Sequence, residues 1–393
     1  MNKLPVVRSL LTAAAIILAP GPATAELQPD TMMVVETLPV PYPEDWVFVM
    51  DGSFFHFAEG KMILLDPTAE TQPEQYKGMV NGSMIAPMLE AGRRSEIYVA
   101  DIHMSRWPNG ERKDTLTVYD KKTLAPLAAI DLPPKRLMVM PMKWQMQLIG
   151  HERFLLITNH TPATSITVVD IARRSVVGEI ELPGCMLTYP TGQRGFTTLC
   201  GDGKMITYQL DTNGQQTNMI ASEAFNDIAG DPMFEEAVII NGIGYFPTFK
   251  GQVQEIDFRG EVAKLGRKWS LTADNPPAQG WRPGGLQLTG QDTQGRLYVL
   301  MHPEGAEGTH KDGGSEVWIY DVKARKRIMR MPLKTWAVTI EVTQGGNPLL
   351  LTTNVDMQID VYNISNGDHL RTLSNFGADT PFMMHAVSTG RPR

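Results

Sequence analysis

The sequence predicts an all-β protein, specifically a seven-bladed β-propeller, and three observations carry that expectation. Helical periodicity is scarce along the 393 residues, while short β-branched and aromatic runs recur. Turn dipeptides punctuate those runs, among them Asn81-Gly82, Asn109-Gly110, Asn213-Gly214 and Asn366-Gly367. Asn-Gly tolerates the positive φ angles of tight hairpins, so these read as strand–turn–strand junctions. The strand ends also repeat. Leu64-Leu65-Asp66, Val118-Tyr119-Asp120, Val168-Val169-Asp170 and Gln209-Leu210-Asp211 share an apolar–apolar–acid ending, continued by Glu255-Ile256-Asp257, Ile319-Tyr320-Asp321 and Val361-Tyr362-Asn363. Their spacings are 54, 50, 41, 46, 64 and 42 residues. Periods of roughly 40–50 residues with several strands each indicate propeller blades. Seven endings imply seven blades.

The chain divides into three stretches. Residues 1–25 read as a secretory signal peptide: Lys3 and Arg8, an apolar run from Leu10 to Ala19, then Ala23-Thr24-Ala25 as a small-x-small cleavage site. The run is too short for a membrane span, which needs roughly 20 apolar residues. Residues 26–44 read as an extended arm, because Pro29, Pro39, Pro41 and Pro43 cannot donate to a β ladder. Residues 45–390 would be the propeller. The 64-residue spacing carries two insertions, Ala273 to Gly285 and Pro303 to Gly314, and loops of that length sit at a propeller's faces or rim. At the other end Phe382 to Val387 is an apolar segment left over after the seventh ending. Paired with the first blade, which is one strand short, it would close the ring and remove two sheet edges.

Cleavage after Ala25 would remove two of the 36 basic residues and none of the 43 acidic ones, leaving a balance of −9. That argues against nucleic acid or an anionic membrane as the main partner. The expected compartment is the periplasm. Two cysteines, Cys185 and Cys200, in an exported chain are most simply a disulfide. Neither C-x-x-C nor C-x-x-C-H is present to support a metal, redox or haem site.

Candidate chemistry on this chain is sparse. His56, His103, His151, His160, His302, His310, His369 and His385 form no ligand motif, so isolated polar or structural histidines are favoured over a metal site assembled across blades. Met138, Met140 and Met142 alternate; on a strand they would share one face, as a soft copper site or, the favoured reading, as blade-core packing. Gly242-Ile243-Gly244 reads as a turn rather than a dinucleotide loop. Oxidised tryptophan can serve as a quinone, but the seven tryptophans read first as core or loop anchors. Residues alone therefore suggest a scaffold or interaction propeller with no catalytic residue, cofactor site or metal site of its own.

Several longer motifs add to this. Leu132-Pro133-Pro134-Lys135-Arg136, Pro162 to Ile166 before Val168-Val169-Asp170, and Gly184-Cys185 with Cys200-Gly201-Asp202-Gly203 resemble the heavy subunit of tryptophan tryptophylquinone amine dehydrogenases, most closely the aromatic amine type. Trp281 to Gly285, Met301-His302-Pro303 with Glu307 to Lys311, and Arg106 with Gly110-Glu111-Arg112 and Asp114 resemble the same family, which is matched from about Trp46 to Val387. The resemblance implies a seven-bladed propeller in an assembly of two heavy and two light subunits. The quinone would be made from two tryptophans of the light subunit, where a carboxylate serves as base; primary amines would leave as aldehyde and ammonia. Electrons would pass to a small blue copper protein. The heavy subunit would hold the light one, shape the substrate entrance and exclude water. One position departs from the pattern: beside the substrate channel the family has a phenylalanine where this chain has Met84. Methionine is narrower and more flexible, so Met84 either alters which amines enter or merely packs. A scaffold propeller without an enzyme partner, and a stand-alone quinone- or metal-dependent oxidoreductase, are the rival readings.

Overall fold

The computed structural model describes residues 36–54, 59–107, 109–160, 162–273 and 280–388. The expected signal peptide, the first part of the arm and His56 lie outside these residues, as does part of the Ala273 to Gly285 insertion. Thr37 onward forms one unit.

That unit is an all-β propeller. Its first blade holds, from the axis outward, Pro381–Ala386, Val47–Asp51, Glu59–Leu65 and Tyr76–Ser83. The second holds Met88–Glu90, Glu96–Arg106, Asn109–Asp120 and Pro126–Leu132. The third runs through Met146–Ile149, Phe154–Asn159, Ser165–Asp170 and Ser175–Glu181, and the fourth through Cys185–Thr191, Gly195–Cys200, Met205–Leu210 and Gln216–Ala221. The fifth comprises Val238–Ile240, Ile243–Pro247, Gln252–Asp257 and Lys264–Ser270. All neighbouring strands are antiparallel.

The expectation of seven separate blades is not met: five are discrete four-stranded sheets. The remaining strands form one eight-stranded sheet. Its cause is the 17-residue strand Lys326–Val342, which pairs Gly314–Asp321 along its first half and Leu349–Asn354 along its second. Pro332 lies within that strand, yet the ladder resumes at Ala337 and runs on where other blades stop.

The repeated acid has a local physical reason. Each of the seven endings closes a strand, and its side chain accepts a backbone amide two or three residues on. Asp66 takes Thr68, Asp120 takes Lys122, Asp170 takes Arg173, and Asp211 takes Asn213. Asp257 takes Arg259, Asp321 takes Lys323, and Asn363 takes Ser365. These are Asx turns, which a short side chain makes without outside help.

Ring closure follows the sequence expectation. Pro381–Ala386 pairs antiparallel with Val47–Asp51 as the innermost strand of the first blade. The core lies between neighbouring sheets, as in stacked β layers. At the closure Val47, Val49, Ile63 and Met384 pack against Leu351, Val361 and Leu373 of the last strands. Gln287 is fully buried and stitches the same place: its Nε2 donates to the carbonyls of Ile340 and Met384, and its Oε1 accepts the Met384 amide.

Two other local expectations fail for packing reasons. Asn81-Gly82 lies inside the strand Tyr76–Ser83, not in a turn. A Cβ on Gly82 would stand 3.1–3.2 Å from Met62, Val99 and Ala86, so close approach between blades is what asks for glycine there. Met138, Met140 and Met142 sit on an irregular link, with Met138 exposed, so they do not share a strand face.

Candidate docking face and substrate passage

Antiparallel order within each blade sends alternate connections to opposite ends of the ring. One end carries the Asx turns. The other carries the links from second to third strand and from each outer strand to the next blade. On that second end the loops grip one another. Phe54 donates its amide to the Thr380 hydroxyl, and the Trp336 indole donates to the Asp312 carbonyl. Arg282 stacks 4.7 Å from the Phe249 ring, and Asp231 accepts from the Thr248 hydroxyl and the Lys250 amide. Phe54, Trp107, Met138, Val139, Ile228 and Val355 stand exposed on these loops. Among the described residues the other exposed large apolar side chains are on outer strands, except Val40, whose arm lies against the Asx-turn end through Leu38 with the Lys122 carbonyl and Tyr42 with the Lys121 carbonyl. Exposed apolar residues gathered on one face mark an interaction surface.

Met84 sits on this loop end, in the link between Tyr76–Ser83 and Met88–Glu90. It is 8% exposed, and so is Ile85, whose φ is +45°. The link is pinned at its start, where Ser83 donates its amide to Asp101 Oδ1 at 2.7 Å and its hydroxyl accepts the Ile102 amide at 2.9 Å. Burial raises the Asp101 carboxyl, against the lowering effect of its Thr117 and Ser83 hydrogen bonds.

Beside the link lies Arg136, from the motif the sequence singled out. Its guanidinium is fully enclosed; burial lowers its pKa to about 10 while Asp114 and Asp101 oppose the shift. Arg112 grips Asp114 through Nε (2.7 Å) and Nη2 (2.6 Å), and Asp114 Oδ2 accepts the Arg136 amide at 2.9 Å. The structure thus brings Met84, Arg112, Asp114 and Arg136 together, although the sequence lists them in separate motifs.

Cys185 and Cys200 are joined in a disulfide across directly opposed positions of neighbouring strands, with Cα atoms 3.9 Å apart. The bond closes the loop-end connections of the fourth blade, next to Gly184 and Gly201.

Along the ring axis the innermost strands line a cavity of ≈ 230 Å³. Lys143 and Glu341 meet there at 2.6 Å. Close by, Glu236 is 5% exposed and neither carboxylate oxygen reaches hydrogen-bond geometry, although the Lys143 backbone amide is near. Burial pushes the Glu236 carboxyl up to about 8, only partly offset by Lys143. Sequence reading missed this axial group, because Lys143, Glu236 and Glu341 carry no spacing signal. Met84 lines neither this cavity nor a more apolar rim groove of ≈ 500 Å³ between Tyr76, Met79, Leu373 and Phe376.

Among the described residues the histidines do not converge, and no group of three or more His, Cys, Asp or Glu there could hold a metal ion. Trp281 and Trp318 do approach, with ring centroids 5.2 Å apart. Trp318 is wholly buried, its indole N–H donates to Glu316, and Arg330 stacks on both rings. Trp318 is thus a core element, with the partly buried Trp281 packed against it.

Residues 44–387 match the family model described as methylamine dehydrogenase heavy chain. The chain belongs to that family. A methylamine dehydrogenase heavy chain from Methylophilus methylotrophus is 24% identical over 359 residues, covering 90% of this chain and 86% of that protein. One from Paracoccus versutus is 26% identical over 306 residues, covering 76% and 71%. Among solved structures, a 6-phosphogluconolactonase candidate from Bacteroides fragilis superposes with a TM-score of 0.59 at 12% identity, covering 86% of this chain and 97% of that one. That likeness speaks to the fold alone. No helix among the described residues is long and apolar enough to cross a membrane.

Proposed function

We propose that this chain is the non-catalytic heavy subunit of a periplasmic, quinone-dependent amine dehydrogenase that oxidises primary amines to aldehyde and ammonia. The family membership supports the activity and a light-subunit partner. The observation that carries the assignment of roles is the asymmetry of the two ends: among the described residues six exposed large apolar side chains stand on the interlocked loops, against Val40 alone on the arm at the Asx-turn end. In this reading the light subunit docks on the loop end and brings the tryptophan tryptophylquinone. When bound, that group supplies the electrophile and electron sink. The tryptophans of this chain are read as packing residues, since the close pair among the described residues is built on the wholly buried Trp318.

What this chain's residues do is hold, shape and dry the entrance. Phe54, Trp107, Met138 and Val139 exclude water at the docking surface, and Met84 forms one wall of the amine passage. Beside the five discrete blades, the eight-stranded sheet continuous through Lys326–Val342 completes the scaffold. Two heavy and two light subunits assemble, and a small blue copper protein accepts the electrons. Residues 1–25 direct export and 26–44 form the arm.

The test is reconstitution. Purified heavy chain shows no quinone absorbance and no amine-dependent dye reduction, and addition of mature light subunit restores both. Dye reduction by the isolated chain would favour the stand-alone oxidoreductase instead.

A further inference from the structure

Two links that reach the loop end are joined by one buried side chain. Arg136 is 2% exposed, and its Nη1 donates to the Ile85 carbonyl at 3.2 Å and to the Leu137 carbonyl at 2.9 Å. Leu137 immediately precedes the exposed pair Met138–Val139, and its amide donates to the Thr158 carbonyl of the third blade. Ile85 immediately follows Met84. The guanidinium is therefore the direct bridge between the segment that carries docking residues and the segment that carries the passage wall.

Three further observations show that this bridge is built rather than incidental. Ile85 is β-branched yet holds φ +45°, a left-handed conformation such residues rarely adopt unless the surroundings over-determine it. Arg136 Nε and Nη2 have no hydrogen-bond partner among the described residues, so the charge stays buried with only one edge engaged. The Arg136 backbone is clamped at both its amide, by Asp114, and its carbonyl, which accepts Arg112 Nη2 at 2.8 Å. The ion pair of Arg112 with Asp114 thus fixes where Arg136 starts, and the Ile85 carbonyl fixes where it ends.

We infer that Arg136 is a positioning residue for substrate selection, setting the passage wall through its grip on the Ile85 carbonyl. The inference rests on the reading of Met84 as that wall. Lysine at this position would keep the charge but replace the rigid planar guanidinium, whose Nη1 reaches both carbonyls, with a flexible ammonium that is not held at that point. The link would then relax toward ordinary backbone angles and Met84 would move, widening or narrowing the passage without touching the reacting atoms.

The experiment uses the assembled heavy–light complex and reads the ratio of kcat/KM for a small aliphatic amine over an aromatic one. R136K is expected to shift that ratio about tenfold, the scale of a shape change in an apolar passage. A ratio within twofold of wild type, with only yield or stability altered, overturns the inference, since a merely structural arginine would behave that way. Met84→Phe is measured beside it. A shift with Met84→Phe and none with R136K sinks the role of Arg136 and leaves the passage reading standing; the reverse result keeps Arg136 and removes Met84 as the wall. Should R136K fail to assemble, Ile85→Gly loosens the same link without disturbing the Asp114 charges, because glycine adopts left- and right-handed conformations alike and so no longer holds the link at one angle. It is expected to shift the ratio in the same direction as Met84 relaxes, and an unchanged ratio overturns the inference.

Discussion

The two ends of the ring are built from the same strands and held in different ways. At the turn end each of the seven repeat endings folds back on its own backbone through one Asp or Asn side chain. Remote partners add to this, among them Arg174 with Glu96, Arg325 with Glu255 and Glu152 with the amides of Gly92 and Arg93. At the loop end the connections are longer, and they are held by partners far away in sequence: Arg136 with Ile85, Trp336 with Asp312, Phe54 with Thr380, and Cys185 with Cys200. The Asx bonds make the polar turns of one rim. The long-range bonds of the loop end make a surface whose shape can be tuned one residue at a time, which is what a docking face and a passage require.

Three substitutions set this contrast against measurement, beginning with the largest effect. The disulfide is the covalent clamp of the loop end and has no counterpart at the turn end. Replacing both Cys185 and Cys200 by alanine should lower the unfolding free energy by about 3 kcal/mol, the chain-entropy value for a fifteen-residue loop. Denaturant titration of the isolated heavy chain reads this directly, and a loss below about 1 kcal/mol would show that hydrogen bonds already hold the loop end.

A smaller effect separates docking from folding. Trp107 and Met138 are exposed on the loop end, so a charge there should leave stability within about 0.5 kcal/mol. Light-subunit affinity should fall by about 2 kcal/mol for Trp107→Glu if Trp107 is an interface anchor, or roughly thirtyfold in Kd. Lys122→Glu on the turn end is the control and should leave Kd unchanged. Equal losses from both would mean the partner does not distinguish the two ends.

The smallest effect belongs to the turn end. Asp120 accepts the amides of Lys122 and Thr123 and the Thr123 hydroxyl. Asp120→Ala should cost about 1 kcal/mol of stability, as loss of a capping side chain does, and nothing in partner affinity. A change in Kd without a change in stability would reverse the assignment of the two ends.

The Asx turns were legible in the sequence because their bonds span two or three residues, so the six Asp endings and the Asn363 ending stand out as a repeat. The closing strand was legible too, since an unpaired apolar segment such as Phe382 to Val387 must find an edge. Reading failed where a residue's role depends on what faces it. Asn81-Gly82 has the composition of a turn, but Val99 of the next blade crowds Gly82 into a strand. The alternation of Met138, Met140 and Met142 suggests a strand face, but no neighbouring strand pairs with that link. The unbroken strand Lys326–Val342 was hidden for the same reason: Pro332 lies within it and reads as a stop, yet the ladder on either side carries on.

By itself, then, the sequence determined the all-β class, the repeat, the turn chemistry, the closing segment and the cysteine pair, because each depends on near neighbours or on there being a single available partner. Only the tertiary structure decided that two groups of strands share one sheet, that Met84 and Arg136 meet through Ile85, and that Lys143, Glu236 and Glu341 gather on the axis. The charged and polar groups in these clusters come from different blades, and the electrostatics that matter to them, burial above all, do not exist until the ring has closed around them.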